Sequence, residues 1–225
     1  MSGLAGGAAR MVENDRFDTL DLRPRIAQSI EEMGFEIMTP VQQKVIPPAL
    51  EGRDILATAQ TGTGKTAAYG IPILQSGMRS LVLAPTRELA LQVQSDLDRM
   101  CGGTTPSVCL IGGAPFRDQK RALKRRPESN VVATPGRLCD HIDQGTVHLD
   151  DIEIFVLDEA DEMLLMGFID DVEWILEQMP EKRQMALFSA TMPKEVQRIA
   201  RKFLSDPKEI AIKNKIHIKD IEESL

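Results

Sequence analysis

The chain has 225 residues, of which 42% are hydrophobic and 27% are charged, so it can bury a sizeable core and is not a disordered polymer. Its 34 acidic and 27 basic side chains give a net charge of -7, which argues against a generally basic nucleic-acid-binding protein. No stretch approaches the ~20 apolar residues of a membrane span, and the N-terminus lacks the features of a signal peptide. We therefore expect a cytoplasmic protein without a membrane partner.

The order of polar and apolar segments predicts a tail followed by alternating strands and helices. Residues 1–16 have no hydrophobic periodicity and are predicted to form a flexible tail. Helical patterns follow at 23–33 and from Thr39 onward, where Thr39 can cap a helix and Pro40 suits its first position. Short apolar runs then predict strands at 54–58, 81–84, 107–111, 130–134, 154–157, 185–188 and 209–212.

These runs are nearly continuous in apolar residues, which is typical of strands covered on both faces. The amphipathic stretches between them can supply the covering helices, and repeated strand–helix units predict right-handed crossovers. The sequence therefore predicts an α/β domain over 17–212, with a parallel sheet of about seven strands and helices on both faces. The polar residues 213–225 are predicted to begin a linker to a further domain.

A glycine-rich segment follows the first predicted strand and opens a helix. It matches the P-loop pattern G-x-x-x-x-G-K-T except that Ala59 replaces the first glycine. Glycines let backbone N–H groups surround phosphates at a helix N-terminus, Lys65 can reach the β- and γ-phosphates, and the Thr66 hydroxyl can bind magnesium. The predicted nucleotide-binding residues of this segment are Thr61, Gly62, Thr63, Gly64, Lys65 and Thr66.

An acidic segment, Asp158 to Asp161, follows the most hydrophobic predicted strand. P-loop ATPases hold magnesium with a carboxylate at this place, so Asp158 is a predicted metal ligand together with Thr66. Glu159 is placed to orient and deprotonate the attacking water. An acidic helix start is the alternative interpretation, but the P-loop upstream favours catalysis by Lys65, Asp158 and Glu159.

Asp158-Glu-Ala-Asp161 also spells the signature of the DEAD-box RNA helicases, and the chain resembles this family in the order of its segments from Phe17 to Ile212. The family's P-loop ordinarily begins with Ala, as here at Ala59. Within the family, the chain resembles bacterial helicases of the cold-shock and ribosome-assembly type. The resemblance implies a RecA-like P-loop fold, ATP and Mg²⁺ as cofactors, RNA as a partner, and a second RecA-like domain in the full-length protein.

The segment from Gly34 to Gln42 resembles the family's adenine-recognising Q motif, with Phe17 at the family's spacing upstream. The resemblance implies that the Gln42 amide reads the N6 and N7 edge of adenine and selects ATP over GTP. It also implies that Phe35 stacks on the base and that Phe17 belongs to the nucleotide site. From the residues alone, Gln42 would more readily be a surface residue and Phe35 a core aromatic.

Short polar segments at the ends of three further predicted strands resemble the family's RNA-binding motifs. Arginines, threonine hydroxyls and glycine amides suit phosphates and sugar hydroxyls, so we expect binding that does not depend on base sequence. Each segment alone would be a turn or a helix start, but their joint order favours RNA. The predicted RNA-binding residues are Pro85, Thr86, Arg87, Gly112, Gly113, Thr134, Pro135, Gly136 and Arg137.

Two further groups of residues complete the interpretation. Ser189 and Thr191 resemble the family's coupling motif, whose hydroxyls hydrogen-bond toward Asp161 and link the nucleotide state to RNA. A basic helix flank is interpreted as a solvated face, with an RNA contact at the fringe as the alternative. It comprises Lys120, Arg121, Lys124, Arg125 and Arg126.

The leading hypothesis is therefore the N-terminal domain of an ATP-dependent RNA helicase, monomeric in isolation, which binds nucleotide but hydrolyses it poorly. A metabolite kinase of the P-loop class is one alternative, although it leaves the predicted RNA-binding segments unexplained. The other alternative is a non-catalytic binding module with a vestigial nucleotide site, against which the intact Lys65, Asp158 and Glu159 argue.

Overall fold

The computed structural model describes residues 15–103 and 106–212. A short 3-10 helix, Phe17–Thr19, comes first. The helices are α1 (Pro24–Glu32), α2 (Pro40–Leu50), α3 (Lys65–Ser76), α4 (Arg87–Met100), α5 (Phe116–Arg125), α6 (Pro135–Asp143), α7 (Ala160–Leu165), α8 (Ile169–Glu177) and α9 (Lys194–Phe203). The strands are β1 (Ile55–Thr58), β2 (Ser80–Leu83), β3 (Val108–Leu110), β4 (Val131–Ala133), β5 (Ile154–Leu157), β6 (Gln184–Ser189) and β7 (Lys208–Ala211).

The strands form one seven-stranded parallel sheet in the order β3-β4-β2-β5-β6-β1-β7. Every predicted strand is present, so the predicted parallel sheet is confirmed. This order groups the loops that carry the motifs. The strands β1, β5 and β6, whose carboxyl ends lead into the P-loop and the acidic and coupling segments, are neighbours. The strands β2, β3 and β4, which lead into the predicted RNA-binding segments, form the other neighbouring set.

Two hydrophobic cores cover the two faces of the sheet. Alternate residues of β2 divide between them, with Val82 in one core and Leu81 and Leu83 in the other. Helices α1 to α4 contribute buried residues to the first core, and α5 to α9 contribute to the second. Because all residues of β2 and β5 are buried, continuous apolar runs are required there, as the sequence indicated.

Hydrogen bonds near the N-terminal boundary determine where the folded part and its first long helix begin. The helix α2 begins at Pro40 as predicted, and Thr39 and Gln42 form a reciprocal capping box at its N-terminus. Arg16, assigned to the tail from the sequence, instead forms an isolated antiparallel bridge with Ile37, so its backbone belongs to the folded part. The rest of the predicted tail up to residue 14, and the predicted linker 213–225, lie outside the described residues. Among the helices described here, none is long and apolar enough to cross a membrane.

Candidate functional site

The P-loop connects β1 to α3 and depends on glycine at two positions. Gly62 and Gly64 have φ angles of 81° and 89°, a region that glycine adopts at little cost. Gly64 is also the N-cap of α3, and a Cβ atom there would lie 2.5 Å from Nε2 of Gln42. Both conformation and space therefore require glycine at this residue. The loop ends at the N-terminus of α3, where the helix dipole favours an anion.

A buried ionic cluster lies beside the P-loop. The Nζ atom of Lys65 is 3.5 Å from Oδ1 of Asp158 and 3.7 Å from Oε1 of Glu159. Among the described residues, neither Lys65 Nζ nor Asp158 Oδ1 has a hydrogen-bond partner, although both residues are buried. Burial raises the pKa of Asp158, against the opposing effect of the Lys65 charge. A phosphate at Lys65 and a cation at Asp158 would satisfy both groups.

These residues fit a magnesium ion. The Asp158 carboxylate oxygen that accepts no hydrogen bond and the hydroxyl of Thr66, which lines the same cavity, are oxygen donors of the kind that Mg²⁺ prefers. Mg²⁺ usually completes its coordination with water and substrate phosphates, so two protein donors are sufficient.

Tyr69 is a member of this cluster that sequence analysis missed. Its hydroxyl donates a hydrogen bond of 2.9 Å to Oδ2 of Asp158, and its ring packs against Phe188 with centroids 5.4 Å apart. Burial, reinforced by the negative charge of Asp158, raises the pKa of Tyr69, so the hydroxyl keeps its proton and donates. Tyr69 lies one helical turn after Lys65 on α3, which is the only sequence signal that could have placed it here.

Glu159 is held in an uncommon conformation at the start of α7. Its φ of 53° lies in the left-handed region, which costs energy for a residue other than glycine. Its Oε1 atom accepts a hydrogen bond of 2.8 Å from the Thr61 hydroxyl of the P-loop. Such strain is typical of residues positioned for function, and here it turns a carboxylate toward the phosphate-binding loop.

Gln42 is buried and links α2 to the P-loop. Its Oε1 atom accepts a hydrogen bond of 2.8 Å from the backbone of Thr39, and its Nε2 atom donates one of 3.1 Å to the Gly64 carbonyl. The Thr39 hydroxyl donates a parallel bond of 2.8 Å to the Thr63 carbonyl. The surface interpretation of Gln42 is therefore wrong. One amide hydrogen and one lone pair remain for a ligand, so adenine recognition stays a prediction.

A cavity of about 290 Å³ opens over the P-loop and contains most of the predicted nucleotide-binding residues. The predicted residues in its lining are Phe35, Thr61, Gly62, Gly64, Lys65, Thr66, Asp158 and Glu159. The lining also contains Ala67 and, from α4 and its surroundings, residues that were not predicted for this site, namely Met33, Leu89, Gln92, Asp96, Arg99 and Met100. Gln42 and Thr63 are not in this lining, and neither is Phe17. Phe17 stacks on Phe35 at 5.6 Å and lines a neighbouring cavity of about 620 Å³.

A second cleft, of about 460 Å³, lies at the carboxyl ends of β2, β3 and β4. The predicted RNA-binding residues in its lining are Pro85, Thr86, Arg87, Gly112, Thr134, Gly136 and Arg137. Glu88, Met166 and Phe168 also line it and were not predicted. Gly113 and Pro135 are outside the lining. Pro135 is buried in the first turn of α6, whereas Gly113 is exposed beside Arg87.

Gly113, the second of two consecutive glycines, makes room for Arg87. A Cβ atom on Gly112 would lie 3.4 Å from Nη2 of Arg87, and one on Gly113 would overlap the guanidinium. Gly113 also has a φ of 79°. The Thr86 hydroxyl accepts a hydrogen bond of 3.1 Å from Leu89 N and so caps α4. The loop therefore orients an exposed arginine at the cleft.

Arg137 is more constrained than Arg87. Its Nη1 atom donates a hydrogen bond of 2.9 Å to the Ala114 carbonyl, and its Nε atom is 3.5 Å from Oδ2 of Asp140. Its guanidinium lies 5.8 Å from the centre of the Phe116 ring, which stacks on buried His141 at 4.0 Å. Burial, followed by the charge of Arg137, lowers the pKa of His141 to about 4, so this ring is neutral. Only some of the donors of Arg137 remain for RNA.

The coupling residues join the ends of β5 and β6. Oδ2 of Asp161 accepts hydrogen bonds from the Thr191 hydroxyl at 2.8 Å and the Thr191 backbone at 2.9 Å. The Ser189 hydroxyl instead accepts a bond of 3.1 Å from the backbone N–H of Asp161. Burial would raise the pKa of Asp161, but these hydrogen bonds outweigh it and lower the pKa. The carboxylate is therefore ionised and fixed.

Comparison with known proteins shows which family this chain belongs to. Residues 39–199 match the DEAD/DEAH box helicases. An ATP-dependent RNA helicase CshA of Listeria monocytogenes is 47% identical over 207 residues, which are 89% of this chain and 40% of that protein. A DEAD-box ATP-dependent RNA helicase CshA of Geobacillus kaustophilus is 48% identical over 206 residues, covering 88% of this chain and 44% of that protein. The chain thus spans less than half the length of these bacterial relatives.

Solved structures agree with the fold. A DEAD box protein from the hyperthermophile Methanococcus jannaschii superposes with a TM-score of 0.84 at 41% identity, covering 88% of this chain and 56% of that one. A hypothetical ATP-dependent RNA helicase from Sulfolobus tokodaii gives a TM-score of 0.81 at 43% identity, covering 85% and 57%. The predicted RecA-like fold and the resemblance to a bacterial type are confirmed. The chain belongs to the DEAD/DEAH box helicase family.

Proposed function

We propose that this chain is the ATP-binding and RNA-binding N-terminal domain of a helicase that couples ATP hydrolysis to the remodelling of RNA duplexes. The observation that carries the proposal is the buried cluster of Lys65, Asp158 and Glu159, in which a cation and a carboxylate oxygen lack hydrogen-bond partners beside the P-loop. The names of the relatives, which are ATP-dependent RNA helicases, support it.

In this proposal, Lys65 binds the β- and γ-phosphates, and Thr66 and Asp158 hold Mg²⁺. The ion supplies charge neutralisation for the phosphates when bound. Tyr69 keeps Asp158 oriented through its hydrogen bond. Glu159 orients the attacking water, and its bond to Thr61 keeps it at the P-loop. The cleft at Arg87 binds RNA backbone.

The rest of the proposal concerns the coupling between the two sites, the partner domain and the subcellular location. Asp161 and Thr191 transmit the nucleotide state from β5 to β6 through their hydrogen bonds. A second RecA-like domain of the full-length chain completes both sites. We place the protein in the cytoplasm and expect this domain to be monomeric.

Gln42 is expected to give the nucleotide site its preference for adenine. The wild type should bind labelled ADP more tightly than GDP, and Gln42→Ala should lose about 1–3 kcal/mol of that preference, because one bidentate amide contact is removed. Fluorescence titration of both nucleotides into the wild type and the variant measures this preference. Gln43→Ala is the matched control, since Gln43 is exposed on the same helix. Equal affinity of the wild type for both bases would refute the role.

Arg87 and Arg137 are expected to bind RNA backbone rather than bases. Each alanine variant should weaken binding to unrelated single-stranded RNAs by a similar factor and lower the salt slope by about 0.7. Anisotropy titrations at several salt concentrations measure this, with Arg53→Ala, before β1, as the control. Arg137→Lys separates lost charge from the lost bond to Ala114. A variant that changed sequence preference would contradict the assignment.

A further inference from the structure

The solvent face of α5 carries a dense group of positive charges. Gln119 and Leu123 form its buried side and pack toward the second core. The exposed basic residues recur at the spacing of one helical face, opposite the buried side. They are Arg117, Lys120, Arg121, Lys124 and Arg125, and we call this surface the basic face of α5.

This charge is not balanced by neighbours. Residues 116–126 contain six basic side chains and one acidic side chain in a chain whose net charge is -7. In the part of the chain that the structure describes, the one ion pair made by α5 joins Arg121 to Asp118 at 3.3 Å. The helix α9 differs, because Arg198 and Lys202 pair there with glutamates of α8 at 2.9 Å and 2.7 Å.

The arrangement opposes the stability of the helix. Three pairs at the i,i+4 spacing have like charge, namely Arg117 with Arg121, Lys120 with Lys124, and Arg121 with Arg125, and such pairs are destabilising. Arg117 also lies in the first turn, where the helix dipole disfavours a cation. The dipole explains a cation in the last turn, but it does not explain Arg117 or Lys120.

The helix that carries the basic face begins directly after a loop of the proposed RNA cleft. The loop that precedes α5 contains Gly112 and Gly113, against which Arg87 lies, and Ala114, whose carbonyl accepts from Arg137. Gln119 of α5 donates a hydrogen bond of 2.8 Å to the Ile111 carbonyl at the base of this loop. At a rise of 1.5 Å per residue, the face extends roughly 12 Å away from the cleft.

We propose that the basic face of α5 is a second binding surface for RNA backbone, which holds the part of the strand that leaves the cleft past Gly113. The proposal rests on the RNA binding proposed above. Phosphates would neutralise the unpaired charges and relieve the repulsion along the helix. The interpretation as a solvated face does not explain why Arg117, Lys120, Lys124 and Arg125 stand at repulsive positions without an ion pair among the described residues.

The test compares two double variants. The α5 variant is Lys120→Gln/Lys124→Gln, and the control is Lys182→Gln/Lys208→Gln. Both control lysines are exposed; Lys182 precedes β6 and Lys208 begins β7, in the half of the sheet away from β3. Anisotropy titrations use RNAs of about 5 and about 15 nucleotides at several salt concentrations. For the longer RNA, the α5 variant should lower the salt slope by about 1.4, or 0.7 for each lost phosphate contact. The shorter RNA should bind as in the wild type.

The stability of the variant separates binding from a structural role. Removing like-charge pairs should leave the thermal midpoint unchanged or raise it, whereas loss of a structural role would lower it. If the α5 variant and the control variant had equal salt slopes for the longer RNA, the proposal would be overturned. If the wild type bound neither RNA, or if Arg87→Ala had no effect on the shorter one, the RNA binding proposed above would fail as well.

Discussion

Replacing Lys65 with alanine is expected to lower the affinity for ATP by roughly 10- to 150-fold. The phosphates lose hydrogen bonds to a charged group, worth about 1.5–3 kcal/mol, and each 1.4 kcal/mol is tenfold in affinity. The ammonium already lies 3.5 Å from Asp158 in a buried site, so a phosphate must share it with that carboxylate. Mg²⁺ at Asp158 would make this sharing favourable, and the wild-type affinity should therefore fall when Mg²⁺ is removed with a chelator.

Titration of labelled ATP into Lys65→Ala measures the loss. Lys44→Ala, an exposed lysine on α2, is the matched control and should bind as the wild type does. Removing Lys65 leaves Asp158 without its cation, and breaking a buried ion pair costs about 3–5 kcal/mol of stability. The folded fraction is therefore measured by circular dichroism in parallel. A folded variant that kept its affinity within a factor of two would contradict the role of Lys65.

A polypeptide of these 225 residues is expected to hydrolyse ATP slowly. Phosphoryl transfer depends on positioning and charge stabilisation, and an arginine from a facing domain is worth ~10³–10⁵ in rate. Arg99 is the arginine in the described lining of the nucleotide cavity, and it lies 3.9 Å from Asp96 on the same helix. We expect turnover at least about 10³-fold below roughly one per second, the low end of ordinary enzyme turnover.

Phosphate release with and without RNA measures this rate. Glu159→Gln supplies the blank, because it loses the base at the P-loop while keeping a hydrogen-bond acceptor for Thr61. Arg99→Ala tests whether the arginine in the cavity contributes. Turnover by the wild-type polypeptide at about one per second or faster would show that no second domain is needed.

The sequence predicted the elements because burial on both faces leaves continuous apolar runs, as in β2 and β5. It also predicted the P-loop and the acidic segment, since their chemistry requires specific residue types. It could not reveal Tyr69, because an aromatic residue one turn into a helix has the pattern of an ordinary core residue. Arg99 was missed for a related reason, since α4 contributes to the cavity through its packing and not through a motif.

The sequence also could not predict the backbone conformation of Glu159, the strand bridge of Arg16 or the ion pairing of α5. The left-handed φ of Glu159 is enforced by the surrounding fold, against the local preference of a glutamate. The boundary at Arg16 depends on a bridge to Ile37, a contact that no local pattern indicates. The basic residues of α5 were predicted to be solvated, with an RNA contact at the fringe as the alternative, and the sequence could not show that Arg121 alone among them has an ion pair in the described residues.

The position of β1 in the sheet has a consequence for synthesis. This strand leads into the P-loop, yet its two partners are β6 and β7, so Ile55 pairs with Ala186 and Lys208. A chain emerging from the ribosome therefore carries β1 without a sheet neighbour until its C-terminal strands appear. Contacts so distant in sequence form slowly, and unpaired strands aggregate readily. We expect nascent chains that end before β6 to need protection by chaperones and to lack a nucleotide site.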